Sequence, residues 1–350
     1  MWLENKVFKE DMDYIINVDF IDWSKLNNKT IFITGATGLI GYYLTCALLY
    51  RNMVFNSQIK IIVLVRNMAK AKQMFSTQLN YNNINFIEGE LENFPDIVEN
   101  IDYIIHGAGP TDSRYFVEYP VETIKTSVFG TINILELARQ KNISGMIYLS
   151  SMEVYGVNKK EEKINESHEC DLDTTLARNS YPESKRICEN LCASFHSEYE
   201  VPVNILRLTQ TFGPGIDKND NRVFAQFLKA YFNEQDIILK TPGRTCRSYL
   251  YTADAVTAIL AVLLCEKYNN VYNCANEDTY CSILDMANLV ANEISKSNIN
   301  VKINLDNTEL LKQYMEETYI NLDTTKIKNS GWLASVNLKN IFNRIIDSNN

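Results

Sequence analysis

Two short stretches of this 350-residue chain hold the residue types best suited to chemistry. "YPESK" sets Tyr181 and Lys185 four positions apart, and "YLSSMEVYG" carries Ser151 and Glu153 on either side of Met152. At that spacing on a helix, the tyrosine and lysine share one face. Free tyrosine titrates near about 10, too high for base chemistry at neutral pH, and a neighbouring ammonium favours the phenolate. On spacing alone such pairs are common, and a surface pair is the stronger reading. A serine and a glutamate at the end of an apolar strand supply a hydroxyl and a carboxylate, whereas methionine has no transferable proton. The stretch therefore admits acid–base work at Glu153 and withholds it at residue 152.

The elements around these residues alternate. "TIFIT" (30–34), "KIIVLV" (60–65), "INFIEG" (84–89), "DYIIHGAG" (102–109), "GMIYLSS" (145–151) and "VPVNILRLT" (201–209) read as buried strands. Helical patterns follow the first strand to about Tyr50 and occupy 121–142 and 182–199. Continuous apolar strands between helices predict an α/β fold, a Rossmann-type doubly wound parallel sheet covered on both faces. After about Thr211 the pattern is less regular, which predicts a smaller C-terminal α/β substrate domain. The expected organisation is a helical leader over 1–28, a dinucleotide-binding domain over 29–210, and a substrate domain over 211–350 partly interleaved with the first.

Between the first strand and its helix, "ITGATGLIGYYL" spaces Gly35, Gly38 and Gly41 by three. Glycines there permit a tight turn and a close backbone approach to a pyrophosphate, which the helix N-terminus then faces. The loop predicts dinucleotide contacts from Gly35, Thr37, Gly38, Leu39, Ile40 and Gly41. At the end of the second strand, "LVRNMAK" places Arg66 where an acidic residue would hold the ribose hydroxyls of NAD. A guanidinium suits a 2′-phosphate, so NADP is favoured over NAD; the alternative is a solvated arginine with NAD bound.

Bulk properties exclude several classes. A net charge of −9 argues against nucleic-acid or anionic-membrane partners. No apolar run is long enough to span a bilayer, and the charged start does not read as a signal peptide. Eight scattered cysteines and only three histidines predict reduced thiols in a cytoplasmic protein and no metal site.

The ordered set "TGATGLIG", "HGAG", "SSMEVYG", "YPESK" and "RSYLYTADAV" resembles the nucleotide-sugar epimerase/dehydratase family of extended short-chain dehydrogenases, over roughly residues 29–335. "YFVEYPVETIKTSVFGTINILELA" and "DNRVFAQFLKA" are most similar to its UDP-glucuronate decarboxylase and 4,6-dehydratase branch. The resemblance implies a nicotinamide cofactor touched by Glu90, Leu91, Ala108 and Gly109 besides the glycine loop. It implies that Tyr181 exchanges a proton with the sugar C4 hydroxyl, that Ser151 hydrogen-bonds the C4 oxygen, and that Lys185 lowers the tyrosine pKa and binds the nicotinamide ribose. It assigns Arg222 and Arg247 to a substrate diphosphate, Arg244 less directly, and Gln210 to a substrate contact.

Several residues depart from the family pattern. Members that eliminate water carry Thr-Asp-Glu or Thr-Ser-Glu where this chain has Ser151-Met152-Glu153, Gln210 replaces an asparagine, and Ser127 replaces another. The departure at Met152, together with Arg66, favours C4 epimerisation or 4-keto-sugar reduction of a nucleotide-diphosphate sugar. Dehydration or decarboxylation with Glu153 as C5 base is the alternative, and a non-catalytic dinucleotide-binding scaffold the remote one. Glu153 reads as base or sugar-positioning group, Met152 as an apolar filler, and Asp254 as a cap of its helix. A homodimer built on the helices at about 116–140 and 181–199 is expected.

Overall fold

The computed structural model describes residues 3–78, 83–169, 171–295, 298–305 and 317–349. Cys170, one of the eight cysteines, lies outside them. Among the described residues, the first half alternates as the apolar pattern predicts. Its elements are α1 (Lys6–Asn17), β1 (Thr30–Thr34), α2 (Leu39–Phe55), β2 (Lys60–Val65), α3 (Met68–Met74), β3 (Ile84–Glu88), β4 (Tyr103–His106), α4 (Ser113–Glu118), α5 (Pro120–Lys141) and β5 (Gly145–Ser151). The chain continues through β6 (Lys163–Ile164), α6 (Ser180–Tyr199), β7 (Val203–Leu208), β8 (Gln210–Phe212), α7 (Val223–Phe232), β9 (Ile237–Leu239), β10 (Cys246–Tyr251), α8 (Thr252–Leu263), β11 (Val271–Cys274), β12 (Asn276–Ser282) and α9 (Ile283–Leu289). Strands β13 (Val301–Ile303) and β14 (Tyr319–Leu322) and a C-terminal helix, Leu338–Asn349, complete it.

Seven parallel strands form the main sheet in the order β11-β7-β5-β4-β1-β2-β3. Successive side chains on a strand point to opposite faces. Ile31 and Ile33 accordingly join a core with α1, α2 and α8, while Phe32, Ile62 and Leu64 join a second core with α5 and α6. Both faces are covered, which is why the strands read as continuous apolar runs. The strand order reverses beside β1, so the β1 and β4 carboxyl ends diverge to opposite helix layers and leave a crevice between them.

The second portion is not contiguous in sequence. Strand β11 returns to the edge of the main sheet beside β7. A smaller sheet runs β12-β10-β14-β6, with β8 on β10. Helix α1 is anchored rather than loosely appended. The Asp11 carboxylate accepts from Arg344 at 2.8 Å, Tyr251 at 2.6 Å and Tyr43 at 3.2 Å, tying the leader to the C-terminal helix.

Two sequence expectations are corrected here. Asp254 does not cap its helix: Tyr251 is the N-cap and makes no side-chain cap bond. The Asp254 carboxylate instead accepts from the Ser335 and Val336 amides, the Ser335 hydroxyl and Tyr14, and so clamps the C-terminal segment. The helix expected over 116–140 breaks at Tyr119, because Pro120 cannot supply the amide that would continue α4.

Candidate active site

The carboxyl ends of β1, β2, β3, β4 and β5 bring the sequence motifs to one edge of the sheet. Gly35 adopts φ +81, and a Cβ on it would stand 2.8 Å from the Gly107 carbonyl carbon. A Cβ on Gly41 would fall 2.2 Å from the Gly35 oxygen. Both positions need glycine so that the turn after β1 can pack against β4 and α2. Gly38 caps α2 with no side-chain bond, so the first-turn amides of Leu39, Ile40 and Gly41 face outward from the helix N-terminus. A side-chain-free cradle ending in such amides fits a pyrophosphate. Across it, the Thr34 hydroxyl accepts from the Ala108 amide at 3.1 Å, and Gly109 opens onto free space.

His106, at the end of β4, is fully buried between Thr34 and Thr131, with ring nitrogens 2.8 and 3.2 Å from their hydroxyls. Burial, helped by the nearby Lys185 charge, pushes it down to about 3, so it stays neutral and structural. Arg66 and Glu90 are exposed at the edge, and Leu91 packs into the second core beside Gly130.

The candidate acid–base residues lie at the end of β5 and the start of α6. Ser151 ends β5 and its hydroxyl accepts from the Glu153 amide at 3.2 Å, capping the single 3₁₀ turn Met152–Tyr155. Tyr181 and Lys185 lie in the first turns of α6 and are both buried. Phe116 of α4 stacks flat on the Tyr181 ring, with centroids 4.2 Å apart and planes 5° from parallel. Burial raises the Tyr181 phenol well above its ordinary value. The Glu153 carboxylate adds to the rise, while hydrogen bonding to Ser151 and the Arg222 charge oppose it. Ser151, Glu153 and Arg222 thus all act on the Tyr181 phenol.

Lys185 reaches back to β5. Its ammonium donates to the Leu149 carbonyl at 2.7 Å and sits 4.7 Å from the Tyr148 ring centroid and 5.9 Å from that of Tyr181. Burial lowers the ammonium itself.

Met152 turns away from this group into a small apolar cluster with Val154, Tyr155, Ile164, Ala275, Ile320 and Leu322. On the substrate side, Gln210 lies half-buried on β8 opposite Tyr249. Arg222 is held by Asp220 through Nη2 at 2.6 Å and Nε at 3.0 Å, and stands over the Phe224 ring. The Arg247 Nε is buried and has no hydrogen-bond partner among the described residues. Arg244 is largely exposed, 3.9 Å from Glu317, and belongs to the surface.

Sequence reasoning missed Phe116, Glu189 and Arg207. Glu189 had a readable signal, since Tyr181, Lys185 and Glu189 form one i, i+4, i+8 stripe. Phe116 had none, because a six-residue helix carries no usable period.

A Rossmann sheet with a glycine cradle at its first turn and a tyrosine–lysine helix beside a serine strand end defines a dinucleotide-dependent short-chain dehydrogenase. The comparisons narrow the class. Residues 31–275 match the NAD dependent epimerase/dehydratase family, and the chain belongs to that family, an enzyme of its nucleotide-sugar branch. UDP-glucuronic acid decarboxylase 6 of Arabidopsis thaliana is 28% identical over 283 residues, 81% of this chain and 78% of the relative. A UDP-glucuronic acid decarboxylase of Xenopus tropicalis is 26% identical over 267 residues, 76% of this chain and 61% of the relative. In fold, the chain is similar to UDP-glucose 4-epimerase of Thermotoga maritima, solved with UDP-glucose. The TM-score is 0.75 at 20% identity, covering 91% of this chain and 98% of that one. It is similar also to dTDP-glucose 4,6-dehydratase of Bacillus anthracis in complex with NAD, with TM-score 0.73, 18% identity, and coverage of 92% and 96%. Among the described residues, no helix is long and apolar enough to cross a membrane, and no cluster of three or more metal-binding side chains occurs.

Proposed function

We propose that this enzyme carries out redox chemistry at C4 of a nucleotide-diphosphate sugar, as a C4 epimerase or a 4-keto-sugar reductase. The carrying observation is Met152. The neighbouring residues converge on Tyr181, while the residue that would assist proton delivery in elimination or decarboxylation is a thioether buried in an apolar cluster. The second reading, dehydration or decarboxylation with Glu153 as C5 base, is favoured by one point. Glu153 is close enough to Tyr181 to raise it, and so is near any sugar that Tyr181 serves.

In this proposal Tyr181 takes the C4 hydroxyl proton, or gives it back to a ketone, and Ser151 hydrogen-bonds the same oxygen in both states. When bound, the nicotinamide dinucleotide supplies hydride exchange at C4. Gly35, Thr37, Gly38, Leu39, Ile40 and Gly41 would hold its pyrophosphate, Glu90 and Leu91 its adenine, Ala108 and Gly109 its ribose and phosphates. Lys185 would bind the nicotinamide ribose. Exposed Arg66 at the β2 tip favours NADP, and a reductase using NADPH follows from that preference. Arg247 and Arg222 would grip the substrate diphosphate, and Gln210 would contact substrate near them. Among the described residues the thiols are free and mostly buried, which suits a cytoplasmic location.

Assembly follows from the helix surfaces. Val121, Ile124 and Phe129 of α5 and Ile187 of α6 are exposed on two helices packed side by side. Pairing this face with its copy would bury them in a homodimer, and a monomer by sedimentation at micromolar concentration would count against it.

The deciding experiment is NMR of products formed in deuterium oxide from a panel of nucleotide sugars and 4-keto nucleotide sugars. Inversion or reduction at C4 without deuterium at C5 is expected. Deuterium at C5 would transfer the assignment to the second reading, and no turnover of any of them would leave a binding protein.

A further inference from the structure

We propose that the buried Glu189–Arg207 ion pair is a positioning brace that sets the Ser151–Glu153 turn against the helix bearing Tyr181. This rests on the reading of Tyr181 as the acid–base group. Arg207 of β7 and Glu189 of α6 make a close pair, with Nη2 to Oε2 at 2.6 Å and Nε to Oε1 at 3.0 Å, both side chains about nine-tenths buried. Each partner also grips one end of the turn. The Ser150 hydroxyl, one residue before Ser151, donates to Glu189 Oε1 at 2.5 Å. At the other end, Arg207 Nη1 donates to the Tyr155 hydroxyl at 2.9 Å. That hydroxyl, pushed up to about 12 by burial and so kept protonated, donates onward to Asn273 at 2.7 Å.

The tripeptide is therefore bracketed by two side chains that meet in a single ion pair. Glu189 lies on the same stripe of α6 as Tyr181 and Lys185, and its charge acts on the Lys185 ammonium. A buried ion pair is poor evidence of stability, because desolvation offsets its attraction. Its geometry is nonetheless stiff, since every polar group in it is satisfied and removing one strands another. Catalytic groups tolerate little misplacement, and this pair holds both flanks of the Ser151–Glu153 turn.

The test uses Glu189→Gln, Arg207→Met and the milder Ser150→Ala, which removes one hydroxyl and leaves the ion pair intact. Glu183→Gln, which breaks only the surface pair with Arg186 on the same helix, is the control. The brace predicts a kcat loss on the order of 100-fold for Glu189→Gln and Arg207→Met and a loss of several-fold for Ser150→Ala, with KM and dinucleotide affinity held within about twofold. A second readout is independent of turnover: the ¹⁹F resonance of 3-fluorotyrosine placed at position 181. It is expected to move in Glu189→Gln and Ser150→Ala and to stay in Glu183→Gln. A moved resonance in a protein that turns over no nucleotide sugar would keep the brace and sink the proposed function. An unmoved resonance in folded Glu189→Gln and Ser150→Ala, with kcat unchanged or falling only in step with thermal stability, would overturn the brace.

Discussion

The Thr209 hydroxyl donates to the Ser248 carbonyl, and its oxygen lies 3.2 Å from the Met152 sulfur. The methionine packs in an apolar cluster with Ile164 of β6, Ile320 and Leu322 of β14, and Ala275 just before β12. A carboxylate placed there would lose its hydration without gaining a cationic partner. Met152→Asp is expected to lose roughly 2–4 kcal/mol of stability at neutral pH, within the range for buried unpaired polar groups. Met152→Ser is expected to lose less, because Thr209 is at hand. Urea denaturation compares the two, and equal stabilities would show that the cluster is open to water.

Glu153 raises the Tyr181 phenol by its charge. Glu153→Gln removes that charge and leaves an amide of the same size, so the phenol should deprotonate at lower pH. The ultraviolet difference between each protein and its Tyr181→Phe counterpart isolates this one tyrosine. A lower midpoint in Glu153→Gln is expected, and an unchanged one would place the carboxylate outside electrostatic reach. Tyr181→Phe itself should reduce kcat by about 10²–10⁴-fold, the usual worth of a positioned proton donor, with dinucleotide binding nearly unchanged.

The main sheet was legible because parallel strands buried on both faces must be apolar throughout, and β1, β2 and β5 fall on the runs 30–34, 60–65 and 145–151. The glycine loop was legible because sterics at Gly35 and Gly41 admit nothing else. What stayed hidden depends on chain segments far apart in sequence. Phe116 reaches Tyr181 across 65 positions, Arg207 reaches Glu189 from a strand, and Asp254 clamps residues some 80 positions away. A local pattern assigns Asp254 to its own helix because it cannot know that the C-terminal segment returns. Arg222 was legible as a cation near the site, but its carboxylate partner Asp220, two residues earlier, was overlooked.

Arg66 stands exposed at the tip of β2, one position beyond the strand. A charge-assisted contact to a 2′-phosphate is worth enough that Arg66→Asp should weaken NADPH binding by roughly 10- to 100-fold. The same carboxylate can accept from ribose hydroxyls, so NADH binding should hold or improve. Nucleotide fluorescence titration reads both. A parallel loss for the two cofactors would mean that the arginine contributes only packing on adenine.

Asp11 gives a prediction about stability and pH. Burial pushes its carboxyl up to about 6, although Arg344, Tyr251 and Tyr43 all favour the charged form. An unfolded aspartate titrates near about 3.9. Between those values the folded protein binds more protons than the unfolded chain, so stability falls as pH rises through the window. The Asp11 contribution is fully present below about pH 4 and is lost as pH passes about 6. A difference of about two pH units corresponds to roughly 3 kcal/mol. Asp11→Asn does not titrate and keeps an oxygen for Tyr251 and Arg344. The unfolding free energy of the protein minus that of Asp11→Asn should therefore decrease by up to that amount from pH 4 to pH 7, measured by urea denaturation at each pH. A constant difference would mean that the leader helix is docked by a carboxylate already charged at pH 4, with Arg344 outweighing burial.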